Sequence, residues 1–350
     1  MKREGFIFER IIDKKNIRKA IHNAAREKDH KRVVQRILNN EDYYIEEIHQ
    51  MIKNQKYKPS PYIMTKLPDD MNNKIRTVHK PKFYPDQVIH WCLMQQIDHL
   101  LMRGMYKWSC ASIPKRGQVY AMKGIRKWLR TDKRNTRWSY KLDITKYYES
   151  VDQELLKKKF RRLIKCERTL NLIDTIIESL EAGLPIGNYT SQWFANFYFQ
   201  EIDHYIKQEL KIKYYSRYMD DIILLGSNKK KLRKAFQQLK EKLKTHNLRI
   251  KGNYQLFRVS DRPIDFAGFV FTHDKVYPRK RITRRARRTA LRFDKNATLQ
   301  GAYRLVSYYG WYKHSDSHVL IEKYFNKNDV LKRAKELISN ESRKRLQCHS

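Results

Sequence analysis

Apolar positions along this chain recur mostly at helical spacing, broken by short aromatic and β-branched runs that read as strands. Residues 1–58 are polar and helical in pattern, with Ile37, Leu38, Ile45, Ile48 and Ile52 as core-facing positions. Pro59 and Pro61, inside Tyr57–Tyr62, end that segment. Ile75 and Val78 alternate with basic residues and predict an exposed strand or loop over Lys74–Pro81. Helical spacing returns over Asp86–Met102, where Val88, Ile89, Leu93, Ile97, Leu100 and Leu101 face inward. A loop over Trp108–Gly117 leads to a further helix over Ala121–Leu129. Tyr140 and Leu142 give a short alternation that places Asp143 at the C-terminal end of a strand. Ser150 and Gln153 read as a capping box for a helix carrying Leu155, Leu156, Phe160, Leu163 and Ile164.

The second half follows the same logic. A loop containing Gly183, Pro185 and Gly187 opens a helix whose aromatic stripe, from Trp193 to Ile206, reads as core. Apolar residues then flank Asp220 and Asp221, and the pattern predicts two strands meeting near these acids, closed by Gly226. Leu232, Phe236, Leu239 and Leu243 form the stripe of a basic helix over Lys229–His246. Leu248–Phe257 reads as strand and turn, and Asp265–Phe271 as one further strand. Tyr303–Trp311 adds aromatics, and the tail beyond Leu331 is helical and polar.

Charge changes this picture. Lys and Arg number 76 against 37 Asp and Glu, a formal net charge of +39, which calls for an anionic partner; nucleic acid fits best. No apolar run approaches the ~20 residues of a spanning helix, and no membrane partner is expected. The four cysteines lie far apart with no Cys-x-x-Cys pair, which argues against zinc and for a reduced, cytoplasmic setting. Arg279–Arg292 packs eight basic residues and no acid. It is either a solvated face or, as its density favours, a surface that tracks a nucleic-acid backbone through Arg279, Lys280, Arg281, Arg284, Arg285, Arg287 and Arg288.

Against that basic background the acids stand out. Asp143 at one strand end, and Asp220 with Asp221 at a hairpin tip, supply the hard oxygen ligands that a pair of magnesium ions needs for phosphoryl transfer to a 3′-hydroxyl. Lys74 and Arg76 suit triphosphate oxygens, though a solvated basic edge gives the same pattern. Gly187 admits a close backbone approach to a substrate, or simply makes a turn.

In chain order these stretches resemble reverse transcriptase motifs over roughly residues 60–315. Asp143 with Tyr148 is similar to motif A, Leu184-Pro185-Ile186-Gly187 with Ser191-Gln192 to motif B, and Tyr218-Met219-Asp220-Asp221 to motif C. Lys251 falls where motif D often has lysine, and Phe266-Ala267-Gly268-Phe269 resembles motif E. Most reverse transcriptases, group II intron enzymes included, carry Gln-Gly followed by Ser-Pro in motif B. Ile186-Gly187 followed by Ser191-Gln192 looks instead like the enzymes of diversity-generating retroelements.

The resemblance implies an α+β, right-hand polymerase fold: a helical extension over 1–58, fingers and palm over 59–272, and a basic thumb and tail over 273–350. It implies that Asp143, Asp220, Asp221 and the Ile144 carbonyl hold two Mg2+ ions, with Mn2+ as a substitute ion. Lys74, Arg76, Tyr148, Ile186 and Gly187 would meet the nucleotide, Tyr148 as a steric gate against a ribose 2′-hydroxyl, and Lys251 would protonate leaving pyrophosphate. The implied partners are dNTPs, a template-repeat RNA copied with errors at adenine, a cDNA or primer strand, and an oligomeric accessory protein. Two other readings are another bacterial reverse transcriptase, antiviral or retron-like, and a nonenzymatic RNA-binding scaffold. The scaffold has no use for the three acids.

Overall fold

A computed structural model describes residues 3–69 and 74–347. The chain runs α1 (Ile7–Ile12), α2 (Lys14–Ala25), α3 (Arg32–Asn39), α4 (Glu41–Lys53), β1 (Ile63–Asp69), β2 (Lys74–Lys80), α5 (Val88–Arg103) and α6 (Gln118–Thr131). It continues through β3 (Trp138–Asp143), α7 (Gln153–Leu163), α8 (Glu167–Ile177), α9 (Tyr189–Gln208), β4 (Tyr214–Tyr218), β5 (Asp221–Gly226) and α10 (Lys229–Lys244). The last part holds β6 (Gln255–Arg258), β7 (Ile264–Phe266), β8 (Phe269–Phe271), β9 (Val276–Pro278), α11 (Lys280–Lys295), α12 (Leu299–Tyr312), α13 (His318–Ile321) and α14 (Val330–Gln347). Contacts divide the chain into two units, one of Met1–Ser112, Ile144–Lys211 and Phe236–Gly252, the other of Ile113–Asp143, Ile212–Ala235 and Asn253–Ser350.

The first unit is mainly helical. The inward positions expected of α5 are all buried, as are Ile37, Ile45, Ile48 and Ile52, while Leu38 is half-buried beside a buried Val34. The stripe of α9 is core: Trp193, Phe194, Tyr198, Ile202 and Ile206 are buried. The expected capping box is not made. Helix α7 starts at Gln153, and Asp152 caps it by accepting from Leu155 N at 2.8 Å, a role aspartate fills as well as serine. Ser150 Oγ instead donates to Thr145 O, and the Gln153 amide turns to neighbouring carbonyls.

A buried polar cluster fastens α7 and α9 to the turn after α10. Lys159 Nζ lies 3.0 Å from Glu201 Oε2 and donates to Tyr198 O, His246 Nε2 lies 3.2 Å from the same carboxylate, and Tyr198 OH donates to His246 O at 2.6 Å. His246 first, then Lys159, hold the Glu201 carboxyl down at about 2. A depressed carboxyl stabilises the fold above its unfolded pKa, near 4.5, and loses that contribution as pH falls through the folded value. Glu201→Gln should therefore lower stability at pH 7 by about 1–2 kcal/mol, discounted for the part-exposed carboxylate but including the stranded Lys159 ammonium. The deficit should shrink by pH 3. Melting temperatures of both proteins at the two pH values check this, and an equal deficit at both would deny the linkage.

In the second unit a four-stranded antiparallel sheet runs β4-β5-β3-β6. Ile222, Ile223, Leu224 and Leu225 of β5 are all buried, so the strand reads as an apolar run rather than an alternation. A second sheet, β7-β8-β9, corrects the single strand expected over Asp265–Phe271. Ala267 and Gly268 take positive φ, 47° and 86°, and turn the chain into a two-residue hairpin. A Cβ on Gly268 would stand 2.4 Å from the Trp311 ring, so only glycine lets the turn rest on α12. Helices α11, α12 and α14 pack around Ala286, Phe293, Leu305, Tyr312 and Ala334.

Candidate active site

The acids sit at one end of the β4-β5-β3-β6 sheet. Tyr218 pairs with Asp221, leaving Met219 and Asp220 as the two-residue turn between β4 and β5. Met219 takes φ 54°, an uncommon conformation for a non-glycine residue. Beneath the turn the fully buried Arg217 donates from Nη1 to Met219 O at 3.2 Å. On the other side β3 pairs with β5 so that its last residue, Asp143, lies opposite Asp221. Opposed residues of an antiparallel pair project to the same face with Cβ atoms roughly 5 Å apart. The register alone thus brings Asp143 and Asp221 together, with Asp220 next to them in sequence.

Two cations attend this group. Lys141, two residues before Asp143 and hence on the same face of β3, places Nζ 4.0 Å from Asp221 Oδ2 and donates to Asp265 O at 2.6 Å. Arg279 Nε pairs with the Asp265 carboxylate. Burial pushes the Asp221 carboxyl up to about 7, with Lys141 and Arg279 pulling it down and Asp143 and Asp220 pushing it further up. Its Oδ1 is buried and has no hydrogen-bond partner. An orphaned carboxylate oxygen amid clustered acids fits a hard divalent cation, whose charge would offset both burial and mutual repulsion. Among the described residues, no three His, Cys, Asp or Glu side chains are already gathered as a ligand set.

The other expected residues lie in the first unit. Lys74 and Arg76 are on β2, paired in register with Asp69 and Leu67; Arg76 is exposed. Tyr148 is half-buried in the turn after Thr145, and Lys251 is half-buried just after Ile250, which bridges to Ile144. Ile186 is half-buried and its carbonyl accepts from His79 N at 2.7 Å. Gly187 takes φ 130°, and a Cβ there would stand 2.4 Å from His79 O. The close approach that Gly187 permits is therefore to the backbone of β2.

The basic run forms α11 with its apolar stripe, Ile282, Ala286, Ala290 and Phe293, turned inward. Lys280, Arg284, Arg287, Arg288 and Arg292 are exposed, whereas Arg281 and Arg285 are half-buried. Arg279 precedes the helix and is engaged by Asp265, which sets it apart from the exposed run.

Residues 92–271, just over half of the chain, match the family described as reverse transcriptase (RNA-dependent DNA polymerase). The chain belongs to the reverse transcriptase family. Among solved structures it is similar to telomerase from Candida albicans in complex with a TWJ fragment of telomeric RNA, at 11% identity and TM-score 0.52, over 82% of this chain and 56% of that one. It is similar also to apo telomerase from Candida tropicalis, at 11% identity and TM-score 0.53, over 82% and 59%. The reverse transcriptase chain thus spans somewhat over half the length of these telomerases, and the likeness establishes a right-hand polymerase fold. No curated protein matches the sequence. No helix among the described residues is long and apolar enough to cross a membrane.

Lys141 and Arg217 were missed by sequence reasoning. Lys141 had a usable signal, since a residue two before a strand-end acid shares its face. Arg217 had none, because its role depends on burial beneath a turn.

Proposed function

We propose that this reverse transcriptase extends a DNA primer on an RNA template by nucleotidyl transfer, in the manner of the diversity-generating retroelement enzymes. The register of Asp143 against Asp221, beside the turn that carries Asp220, is the observation that supports polymerisation. Asp143, Asp220 and Asp221, with the Ile144 carbonyl, would hold two Mg2+ ions, Mn2+ being a substitute. When bound, such ions activate a primer 3′-hydroxyl and neutralise the triphosphate and leaving pyrophosphate. Lys141 and Arg279 balance the acids from the protein side. Lys74 and Arg76 grip phosphates, Tyr148 excludes a ribose 2′-hydroxyl, and Lys251 protonates pyrophosphate. Lys280 and the exposed arginines of α11 track the template–primer backbone, and an oligomeric accessory protein takes part of the remaining positive surface. Extension of an annealed primer on RNA, dependent on added Mg2+, tests the activity. RNA binding without extension would instead support the scaffold reading.

The assignment to diversity-generating enzymes rests on Ile186-Gly187 and Ser191-Gln192. A glutamine at 186 could hydrogen-bond near the nucleotide sugar, whereas the isoleucine side chain neither donates nor accepts. A correct and a mismatched pair then differ by fewer oriented contacts, and each ~1.4 kcal/mol of lost difference is tenfold in discrimination. Ile186→Gln should lower misincorporation, most of all at template adenine, by up to about tenfold. Sequencing cDNA from both proteins on one template at equal dNTP supply measures it. Identical error spectra would leave Ile186 a packing residue and point to another bacterial class of reverse transcriptase.

A further inference from the structure

Tyr148 owes its position to a segment more than thirty residues away in sequence. Its carbonyl accepts the Leu184 N–H at 2.8 Å. Gly183, at φ 68°, lies so close that a Cβ would stand 2.6 Å from Tyr148 O and 2.7 Å from Glu149 Cα. One side chain gathers that segment. Gln153 Nε2 lies 3.1 Å from Ile177 O, 3.0 Å from Leu180 O and 3.0 Å from Gly183 O. Ile177 ends α8, so the amide satisfies an orphan carbonyl at that helix end while drawing Gly183 toward α7. The neighbouring Tyr147 is buried and donates from its hydroxyl to Ala195 O at 2.6 Å. Tyr148 is therefore held from both sides along the backbone while its ring remains half-buried.

We propose that Gln153 and Gly183 are positioning residues for Tyr148, setting how closely its ring approaches the sugar of an incoming nucleotide and so how strongly dNTPs are preferred over rNTPs. This rests on the reading of Tyr148 as the sugar gate. Loss of the Gln153 amide frees the 177–183 segment and lets Tyr148 recede. A methyl group on Gly183 pushes the same backbone directly, and the left-handed φ makes that substitution strained as well.

The test is single-nucleotide incorporation by the full chain on an annealed RNA–DNA substrate, comparing kcat/KM for a dNTP and its matching rNTP. The ratio is internal to active molecules, so a misfolded fraction cancels. Tyr148→Ala should lower the dNTP preference by about tenfold or more, and Gln153→Leu and Gly183→Ala by about three- to tenfold each. If Gln153 acts through Tyr148, adding Gln153→Leu to Tyr148→Ala should change the ratio no further. An unchanged ratio in Tyr148→Ala would overturn the gate itself. A lowered ratio in Tyr148→Ala with unchanged ratios in both positioning variants would leave the gate standing and overturn the proposal. So would an additive double variant.

Discussion

Asp220→Asn should abolish primer extension while leaving RNA affinity unchanged within about twofold. Asparagine preserves size and the two-residue turn but removes the charge that a hard cation requires. Metal stabilisation of the reacting phosphate supplies several kcal/mol, so the expected loss is about a thousandfold or more in rate. Affinity should persist because the acid adds negative charge to a strongly basic protein and cannot itself attract template. Extension and binding measured on one preparation decide the matter. Substantial extension by Asp220→Asn would remove the assignment of this turn as the catalytic centre. A parallel loss of extension and affinity would indicate a folding defect, which the melting temperature would reveal.

The second large effect concerns α11. Replacing Arg284, Arg287, Arg288 and Arg292 with alanine should weaken template–primer binding and flatten its salt dependence by three to four units in log–log slope, if each contacts one phosphate at ~0.9 per contact. The affinity gap from the unaltered protein should then close about 100-fold between 50 and 200 mM salt. All four are exposed, and the apolar stripe of the helix is untouched, so the fold should survive. Arg287 also stacks over Tyr324, with its guanidinium carbon 6.0 Å from the ring centroid, and its removal can cost some stability there. Fluorescence anisotropy across a salt series supplies both quantities. An unchanged slope would make the exposed arginines a solvated face.

The positions of Asp143, Asp220 and Asp221 were legible because charged residues interrupted apolar runs at strand ends, where pattern alone fixes position. Helix faces were legible for the same reason: α5, α9 and α10 bury the stripes that their spacing predicts. The hairpin at Ala267-Gly268 was not, since alanine gives no sign that it will take a left-handed conformation. Nor was the cap of α7, where Asp152 and Ser150 are both good caps and tertiary demand on Gln153 decided between them. Lys141, Arg217 and the Gln153 amide act through partners distant in sequence or through burial, which periodicity cannot register.

The contact between Gly268 and Trp311 has a mechanical consequence. With no Cβ between them, the hairpin tip bears directly on α12, and the next strand back presents Asp265, whose carbonyl holds the same ammonium that faces Asp221. Any tilt of α12 that carries the hairpin with it is passed through the Asp265 carbonyl to Lys141, and so to the charge beside Asp221.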